Sequence, residues 1–574
     1  MSTDTPVLLG IYDGHNASAG VYIGDRLVSL VQEERLVRVK NHYGPPQLAV
    51  AEALRLAAVS QAEVDRVCCG AHFVSKPRGP RWATQSFDAR YRGGVSQTAR
   101  RHVTGISAYR RRRARKRMEE RTAVIAAWGF APEKVTYFDH HEDHAATAYH
   151  GLRRDDEPYL ILTLDGGGDG LCASVWIGRD GELECLERVS REDSLGELYA
   201  VTTHLLGFTP LEHEYKLMGM AAYADPKYAE PAARVYEGYL GFDPARPMRF
   251  QRRVREPISD VGPRLERDLA RLRFDSICAG LQLFTERILC EWVQRCVQQT
   301  GIGRVLAAGG VFMNVKANKA VSELGQIEYF EAFPSCGDES LSIGACYLEA
   351  KALGVNPAPI EHCYLGNDLS MQECQQAVAD AGDQVTVEEP VDMADRVAQI
   401  LADGEIVARA AGPMEFGARA LGNRSILADP RNQDVVRVIN RMIKKRDFWM
   451  PFAPVVLRRQ SAAYFSNPKD LPSSYMMNTF DSTDRRDGFM AAVHNADLTA
   501  RPQLVEDGQN PGYEAILQCF GERTGRHVLL NTSFNLHGSP VVCSAADAMG
   551  VLLDSGLQRL ILGPLLVTKR ATTT

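Results

Sequence analysis

A group of closely spaced histidines, in the segment DHHEDH at 139–144, has the residue types that bind a metal ion. If this segment is helical, His140 and His144 are four residues apart on one face, and both imidazoles reach the same ion. A catalytic metal needs further ligands, and Asp165 at a strand end and Asp338 before a helix supply oxygen donors. This ligand set suits Fe²⁺, Mn²⁺ or Zn²⁺ alike. The alternative is that neighbouring histidines only cap the helix or stack on one another.

The C-terminal part of the chain carries basic, hydroxyl and amide side chains separated by apolar residues and prolines. Guanidinium groups that bind bidentately, with neutral donors in a fixed frame, are what a buried phosphate site requires. The candidates are Arg419, Arg424, Lys444, Arg446, Arg501, Asn531, Ser533 and Asn535. Surface salt bridges are the alternative. The sequence contains no G-x-x-x-x-G-K-[ST] motif, so a P-loop is not expected.

Glycine turns follow two predicted strands, YLILTLD and RVLAA. Backbone amides at such turns can approach phosphates, and the helix N-termini that follow favour anions. Gly166–Gly168 and Gly309–Gly310 are therefore candidates for a nucleotide site, with polar contacts from Lys216 and Asn314. The alternatives are ordinary turns and a solvated lysine.

The elements that must position these residues form a repeated pattern. The first forty residues are predicted to form a three-strand meander whose first strand ends in a polar loop, and residues 156–190 repeat that design. Helical patterns follow each unit. Two such units, each with an acid and glycines at the first turn, predict a duplicated α/β fold around a central cleft.

Length and composition place this pattern in a large globular protein. The chain has 574 residues, which requires at least two domains, and the proline- and glycine-containing stretch 352–366 is the predicted boundary. The net charge of −6 excludes a general attraction to nucleic acid. The arginine-rich stretch 100–117 is interpreted as a solvated helix face.

Cysteine usage and the N-terminus indicate the compartment. The 13 cysteines are scattered and contain no C-x-x-C pair, so we expect reduced thiols and neither a disulfide framework nor a zinc ribbon. The N-terminal segment does not resemble a signal peptide, and no apolar run approaches the length of a membrane span. A cytoplasmic protein is expected.

In combination, the motifs resemble the carbamoyltransferase family of antibiotic and nodulation-factor biosynthesis. They are, in chain order, GHNASA near residue 15, EERxxRxK at 33–40, HHxxHA, LDGGGDG, ExEYKxMG, the Gly-Gly strand end, CGDES, EFGARALGNRS, KxR, PFAP and LNTSFN. The resemblance covers nearly the whole chain. The paired C-x-x-C zinc motifs of the hydrogenase-maturation relatives are absent.

The resemblance implies a fold and a reaction. It implies an N-terminal domain at 1–355 of the actin and sugar-kinase type, similar to tRNA threonylcarbamoyl-transfer proteins, and a C-terminal α/β domain at 362–574 similar to threonylcarbamoyl-adenylate synthases. The C-terminal domain would form carbamoyl adenylate from carbamoyl phosphate and ATP, with Mg²⁺. The N-terminal domain would transfer the carbamoyl group to a hydroxyl of a small-molecule natural product.

The resemblance also assigns residues. His140, His144, Asp165 and Asp338 match an iron site, with Mn²⁺ or Zn²⁺ as alternatives, and His15 matches the catalytic-site histidine. In the N-terminal domain the nucleotide or carbamoyl adenylate would contact Gly166, Gly167, Gly168, Lys216, Gly309, Gly310 and Asn314. In the C-terminal domain ATP and carbamoyl phosphate would contact the eight phosphate-site candidates named above.

Two other classes remain open. A tRNA threonylcarbamoyl-type modification enzyme is supported independently only by the arginine-rich stretch. A non-catalytic, actin-class nucleotide-binding switch would need neither the metal histidines nor the C-terminal phosphate cluster. For the carbamoyltransferase reading, we expect a homodimer with no membrane or nucleic-acid partner.

Overall fold

The chain folds into two units, and a short segment near its N-terminus belongs to the second of them. The computed structural model describes residues 5–76, 79, 81–92, 107–444 and 447–570. The first unit comprises Met1–Glu33 and Asn41–Glu361, and the second comprises Glu34–Lys40 and His362–Thr574. The chain therefore leaves the first unit after Glu33 and returns to it at Asn41. No sequence pattern indicated that the residues between them belong to the second unit.

Two sheets of the first unit share one topology. Its strands are β1 (Val7–Tyr12), β2 (Ser18–Ile23), β3 (Arg26–Gln32), β4 (Arg66–Cys69), β5 (Val135–Tyr137), β6 (Tyr159–Gly168), β7 (Leu171–Arg179), β8 (Glu182–Ser190), β9 (Leu240–Asp243), β10 (Arg246–Arg252), β11 (Arg304–Ala308) and β12 (Tyr329–Ala332). One sheet has the order β3-β2-β1-β4-β5 and the other β8-β7-β6-β11-β12. In each, the first three strands pair antiparallel and the last three parallel. The predicted duplication is confirmed.

Helices cover these sheets. They are α2 (Gln47–Leu56), α3 (Trp82–Arg92), α4 (Ser107–Ala127), α5 (His140–Leu152), α6 (Leu195–Leu205), α7 (Glu214–Ala221), α8 (Pro226–Glu237), α9 (Gly262–Leu269), α10 (Phe274–Thr300), α11 (Val315–Ser322) and α12 (Leu341–Ala352). Helix α1 (Glu33–Val37) starts where the chain leaves this unit, and all of it but Glu33 belongs to the second unit. The central strands β1 and β6 are buried because helices such as α12 and α5 pack on them. Within the described residues, no helix combines the length and apolarity needed to cross a membrane.

The second unit is built on a large mixed sheet. Its strands are β13 (Val385–Glu388), β14 (Val407–Ala410), β15 (Arg424–Ala428), β16 (Ala453–Leu457), β17 (Phe465–Ser466), β18 (Phe480–Ser482), β19 (Thr499–Ala500), β20 (Gln503–Val505), β21 (Val528–Ser533), β22 (Arg559–Leu562) and β23 (Leu565–Lys569). Its helices are α13 (Met371–Ala381), α14 (Met393–Ala402), α15 (Asp434–Ile439), α16 (Pro511–Thr524) and α17 (Ala545–Asp554). The sheet order is β13-β23-β22-β14-β15-β21-β16-β20.

Both faces of this sheet are buried. Successive side chains of a strand point to opposite faces. Accordingly Ile426 and Ala428 belong to one apolar cluster and Leu427 to another. Helices α13 and α17 contribute to the first cluster, and α14 and α16 to the second. The mixed α/β class predicted for this unit is confirmed.

Helix α4 carries the described part of the arginine-rich stretch. Arg100 and Arg101 lie outside the described residues. Along the helix the basic side chains at 111–113, 115 and 116 are exposed. Arg121 is buried, and its guanidinium lies 2.7 Å from the Asp13 carboxylate and donates to the backbone carbonyls of Gly70 and Ala71. One end of the basic helix is therefore anchored to the loop that follows β1.

We expect Asp13→Asn to destabilise the first unit by about 3–5 kcal/mol, because it leaves the buried Arg121 guanidinium without its counter-charge. The measurement is urea unfolding of the full chain. Asp25→Asn is the matched control, since Asp25 is exposed and lies 3.9 Å from Arg26. Its expected effect is below about 1 kcal/mol. Equal unfolding midpoints for the two variants would show that the Arg121 pair does not stabilise the fold.

Candidate functional site

Two histidines and two aspartates converge in the first unit. His140 Nε2 lies 3.0 Å and His144 Nε2 3.4 Å from Asp165 Oδ2. Asp338 Oδ1 lies 3.8 Å from His140 Nε2 and 3.9 Å from His144 Nε2. One ligand atom from each residue lies within 4.8 Å of all the others. The four residues come from the start of α5, the end of β6 and the turn before α12.

Local sequence explains how α5 presents its histidines. Asp139 caps the helix, since its carboxylate accepts hydrogen bonds from the backbone N–H groups of His141 and Glu142 at 3.0 and 3.2 Å. Gly168 leaves room for the first imidazole, because a β-carbon there would lie 2.1 Å from His140 Cγ. A larger side chain at position 168 would therefore collide with the first imidazole of the cluster.

The electrostatics of the cluster favour a cation. Burial alone would disfavour charge on His140, but the carboxylates of Asp338 and Asp165 raise its pKa to about 10. Burial and the neighbouring Asp165 raise the pKa of Asp338 to about 8. Burial lowers the pKa of His144. Two carboxylates and two imidazoles held this close are a donor set that fits a divalent Fe, Mn or Zn ion.

A tyrosine orients one of these carboxylates. The Tyr12 hydroxyl, at the end of β1, donates a 2.5 Å hydrogen bond to Asp338 Oδ2, while Asp338 Oδ1 faces the histidines. Residues that hydrogen-bond to metal ligands fix their orientation and strengthen metal binding.

We expect Tyr12→Phe to weaken binding of Zn²⁺ or Mn²⁺ about 10- to 100-fold, because Asp338 loses the hydrogen bond that orients it. Competition with a chelator measures this affinity directly. Tyr22→Phe is the control, since among the described residues the buried Tyr22 hydroxyl has no hydrogen-bond partner. An unchanged affinity in Tyr12→Phe would contradict the positioning role.

The glycines among the predicted nucleotide residues of the first unit lie beside this cluster. Gly166 and Gly167 follow Asp165, and a β-carbon on Gly310 would lie 3.5 Å from Asp165 Oδ1. Gly309 has a φ of 103°, and a β-carbon there would lie 2.3 Å from the Leu164 carbonyl oxygen. Both glycine turns therefore border the aspartate of the metal cluster.

Lys216 and Asn314 occupy other elements. Lys216 lies on α7, with its ammonium 5.4 Å from the centre of the Phe208 ring. Asn314 caps α11, and its side-chain amide exchanges two hydrogen bonds with Gln282 on α10, at 2.9 and 3.0 Å. Their roles toward a nucleotide stay predictions.

His15 lies in the loop after β1, three residues beyond Tyr12. It is partly buried, its backbone pairs with Tyr43, and its ring packs edge-on against Trp82 with 5.7 Å between ring centres. The strand that supplies Tyr12 to the metal cluster thus also places His15.

A second polar cluster forms in the second unit. Lys444, at the end of a π-helical turn, donates to Ser533 Oγ at 3.0 Å and to Asn535 Oδ1 at 2.6 Å. The Ser533 hydroxyl donates to Asn535 Oδ1 at 2.7 Å. Three of the predicted phosphate-site residues are therefore in direct contact at the end of β21, although Lys444 is distant in sequence from the other two.

The other predicted phosphate-site residues are placed differently. Arg424 is fully buried and donates to the carbonyl oxygens of Asn367, Gly412 and Asn423 at 2.9–3.0 Å. Asn531 is also buried and donates to the Ala420 carbonyl oxygen at 3.0 Å. Both therefore hold backbone segments near the cluster. Two candidates, Arg419 and Arg501, are partly buried, and Arg446 lies outside the described residues.

Family models match most of the chain. The carbamoyltransferase N-terminus model matches residues 8–347, and the carbamoyltransferase C-terminus model matches residues 398–569. The chain belongs to the carbamoyltransferase family. The metal cluster lies within the first matched region, and the Lys444 cluster lies within the second.

Curated relatives extend over the same length. The nodulation protein NolNO of Sinorhizobium fredii is 30% identical over 97% of this chain and 79% of its own. The 3'-hydroxymethylcephem-O-carbamoyltransferase of Amycolatopsis lactamdurans is 26% identical over 78% of this chain and 83% of its own. Among solved structures, full-length HypF aligns with a TM-score of 0.36 and 14% identity over 61% of this chain and 46% of its own.

Sequence reasoning missed two sets of residues in this carbamoyltransferase. Tyr12 was read only as a strand residue, although it directly precedes the polar loop that contains His15. Arg35 and Arg38 belong to the EERxxRxK motif, to which the sequence assigns no role, and the structure places both in the second unit. The position of Tyr12 at a strand end was an available signal. The arginines donate to the backbone carbonyls of Gly417, Pro540 and Val541, and such contacts leave no pattern in the sequence.

Proposed function

We propose that this carbamoyltransferase is an ATP-dependent O-carbamoyltransferase that acts on a hydroxyl of a small molecule. The second unit would form carbamoyl adenylate, and the first would transfer the carbamoyl group. The observation that carries the proposal is the pair of clusters: two histidines with two aspartates in the first unit, and a buried lysine with serine and asparagine in the second. Each cluster suits a different half-reaction.

The second cluster suits chemistry on phosphates. Water would first cleave carbamoyl phosphate into carbamate and phosphate. A carbamate oxygen would then attack the α-phosphorus of ATP, so that the bond to pyrophosphate breaks as the bond of carbamoyl adenylate forms. Mg²⁺ would accompany ATP. The Lys444 ammonium is held by Ser533 and Asn535 and supplies a fixed positive charge where negative charge develops.

The first cluster suits the transfer step, in which the acceptor oxygen attacks the carbamoyl carbon and AMP leaves. His140, His144, Asp165 and Asp338 would hold the metal ion, which when bound supplies Lewis-acid polarisation. His15 would take the proton from the acceptor hydroxyl. The acceptor class is proposed from the cephem O-carbamoyltransferase relative, whose name specifies a hydroxymethyl group.

The deciding experiment incubates the purified full chain with ATP, Mg²⁺ and carbamoyl phosphate, and measures pyrophosphate and carbamoyl adenylate. A panel of alcohols, including hydroxymethyl cephems and oligosaccharides, is then offered. We expect pyrophosphate release that depends on carbamoyl phosphate, and formation of a carbamoylated alcohol when the acceptor is present. No ATP turnover in the presence of carbamoyl phosphate would overturn the proposal. Carbamoyl transfer to tRNA in place of alcohols would favour the RNA-modifying class.

We expect His15→Ala to slow carbamoyl transfer from preformed carbamoyl adenylate about 10²- to 10⁴-fold, because the acceptor loses its general base. Pyrophosphate release by the second unit is expected to stay within twofold of the wild-type rate. Single-turnover assays with supplied carbamoyl adenylate separate the two steps. If transfer proceeds at the wild-type rate, proton removal must be assigned to another group.

A further inference from the structure

Residues 34–40, here called the inserted segment, belong to the second unit although they lie near the N-terminus of the sequence. Two arginines of this segment have contacts with backbone carbonyls of that unit. Arg35 is only 4% exposed, and its Nη2 donates to the Gly417 carbonyl oxygen at 2.6 Å. The carboxylate of the adjacent Glu34 lies 3.3 Å from Arg35 Nε and balances its buried charge.

Arg38 binds a different loop. Its guanidinium donates to the Val541 carbonyl oxygen at 2.6 Å and to the Pro540 carbonyl oxygen at 3.1 Å. Its Nε lies 3.4 Å from Asp547 Oδ1, and Asp547 also accepts hydrogen bonds from the backbone at the start of α17. One side chain thus ties the end of a loop to the cap of a helix.

The two loops that these arginines hold carry residues of the proposed carbamoyl-adenylate-forming site. Residues 415–422, the arginine loop, contain Gly417 together with Arg419. Residues 535–541, the asparagine loop, begin at Asn535, which accepts a hydrogen bond from Lys444. The inserted segment therefore contacts both loops next to candidate ligand-binding residues.

The asparagine loop is held from both of its ends. At its start, Asn535 Nδ2 donates to the Ser539 carbonyl oxygen at 2.8 Å. At its end, the Arg38 guanidinium donates hydrogen bonds to the carbonyl oxygens of the last two residues, Pro540 and Val541. Removing Arg38 takes away the side-chain hydrogen bonds at the end of this loop. The remaining contacts include those of Asn535, which also accepts from the Lys444 ammonium, and backbone hydrogen bonds such as that from His537 N–H to the Ile443 carbonyl oxygen at 3.3 Å.

The backbone of the inserted segment indicates that this arrangement is specific. Arg38 has a φ of 57°, in the left-handed region that residues other than glycine seldom adopt. Such a conformation persists only where surrounding contacts maintain it. Here those contacts are the carbonyls of the asparagine loop and the Asp547 carboxylate.

We infer that Arg35 and Arg38 are positioning residues of the carbamoyl-adenylate-forming site, and that the inserted segment completes this site by holding the arginine and asparagine loops in their binding geometry. This inference rests on the proposed function of the second unit. It predicts that the EERxxRxK motif near the N-terminus serves the reaction carried out by the C-terminal part of the chain.

The test uses the full-length protein with Arg35→Ala and Arg38→Ala, measuring pyrophosphate release at varied ATP and carbamoyl phosphate. Each loop carries binding residues, so we expect each variant to raise the KM of at least one substrate about tenfold, the effect of losing charged hydrogen bonds. Transfer from preformed carbamoyl adenylate should change less than twofold. General destabilisation would instead lower the active fraction, and hence kcat, and leave KM unchanged.

Arg26→Ala is the matched control, because Arg26 is an exposed arginine of the same N-terminal region that pairs with Glu361 in the first unit. If an alanine variant does not fold, Arg35→Lys and Arg38→Lys, which keep the charge and one donor, are measured by the same KM criterion. KM values within twofold of wild type in the folded variants would overturn the inference. A wild-type protein that releases no pyrophosphate would overturn the proposed function itself, and this inference with it.

Discussion

Replacing Lys444 by alanine is expected to reduce carbamoyl-adenylate formation at least 100-fold. Ser533 and Asn535 hold the Lys444 ammonium in place. The alanine variant lacks this ammonium and therefore the positive charge that would face the substrate phosphates. Removal of one preorganised donor to developing negative charge typically slows a reaction 10²- to 10³-fold. Transfer from preformed carbamoyl adenylate, which the first unit would catalyse, is expected to continue at the wild-type rate.

Lys569→Ala is the matched control for this experiment. Lys569 belongs to the same unit, and its ammonium also donates to backbone carbonyl oxygens, those of Leu552, Leu553 and Ser555. It lies outside the Ser533 cluster, so the KM for ATP should not change. If Lys444→Ala and Lys569→Ala reduce pyrophosphate release equally, Lys444 acts through stability and the proposed site is wrong.

Replacing His144 by alanine is expected to abolish carbamoyl transfer and to leave carbamoyl-adenylate formation intact, the reverse of the effect expected for Lys444→Ala. It removes one of four ligand groups in the metal cluster, and we expect the affinity for Fe²⁺, Mn²⁺ or Zn²⁺ to fall by more than the roughly 10- to 100-fold typical of residues that only support ligands. Carbamoyl transfer should be lost with the metal. Pyrophosphate release from ATP and carbamoyl phosphate should remain.

Metal affinity is measured by chelator competition and metal content by elemental analysis, so the result does not depend on turnover. His150→Gln is the control, since His150 is a buried histidine later on the same helix α5 and is not a member of the cluster. It should retain metal binding. Full metal occupancy in His144→Ala would exclude His144 as a ligand, and a parallel loss of both activities would contradict two independent half-reactions.

The repeated strand unit of the first unit could be predicted from the sequence. Alternation of apolar residues with glycine turns in the first forty residues and in residues 156–190 predicted two similar strand units, and the two sheets have the same order and strand directions. Strand periodicity is local, so it can be read from the sequence. The order of strands within the C-terminal sheet could not be read, because β14 pairs with β22, about 150 residues away in the chain.

The part of the candidate site that lies on one helix could be predicted from residue spacing. His140 and His144 share a face because four residues make about one helical turn. Their approach to Asp165 and Asp338 was expected from residue chemistry, and the distances of 3.0–3.9 Å show the four side chains together. The hydrogen bond from Tyr12 was not predictable, since it joins residues 326 positions apart.

The sequence by itself determined the repeat, the pair of histidines proposed as metal ligands, and the basic and amide motifs of the C-terminal part. Each of these depends on residue type and short spacing. Tertiary structure alone decided that Lys444 contacts Ser533 and Asn535, that Arg424 is buried among carbonyls, and that residues 34–40 belong to the second unit. The physical reason is that every residue carries a backbone carbonyl. A contact such as that of Arg35 with Gly417 is therefore specified by the path of the folded chain and not by the identity of the accepting residue.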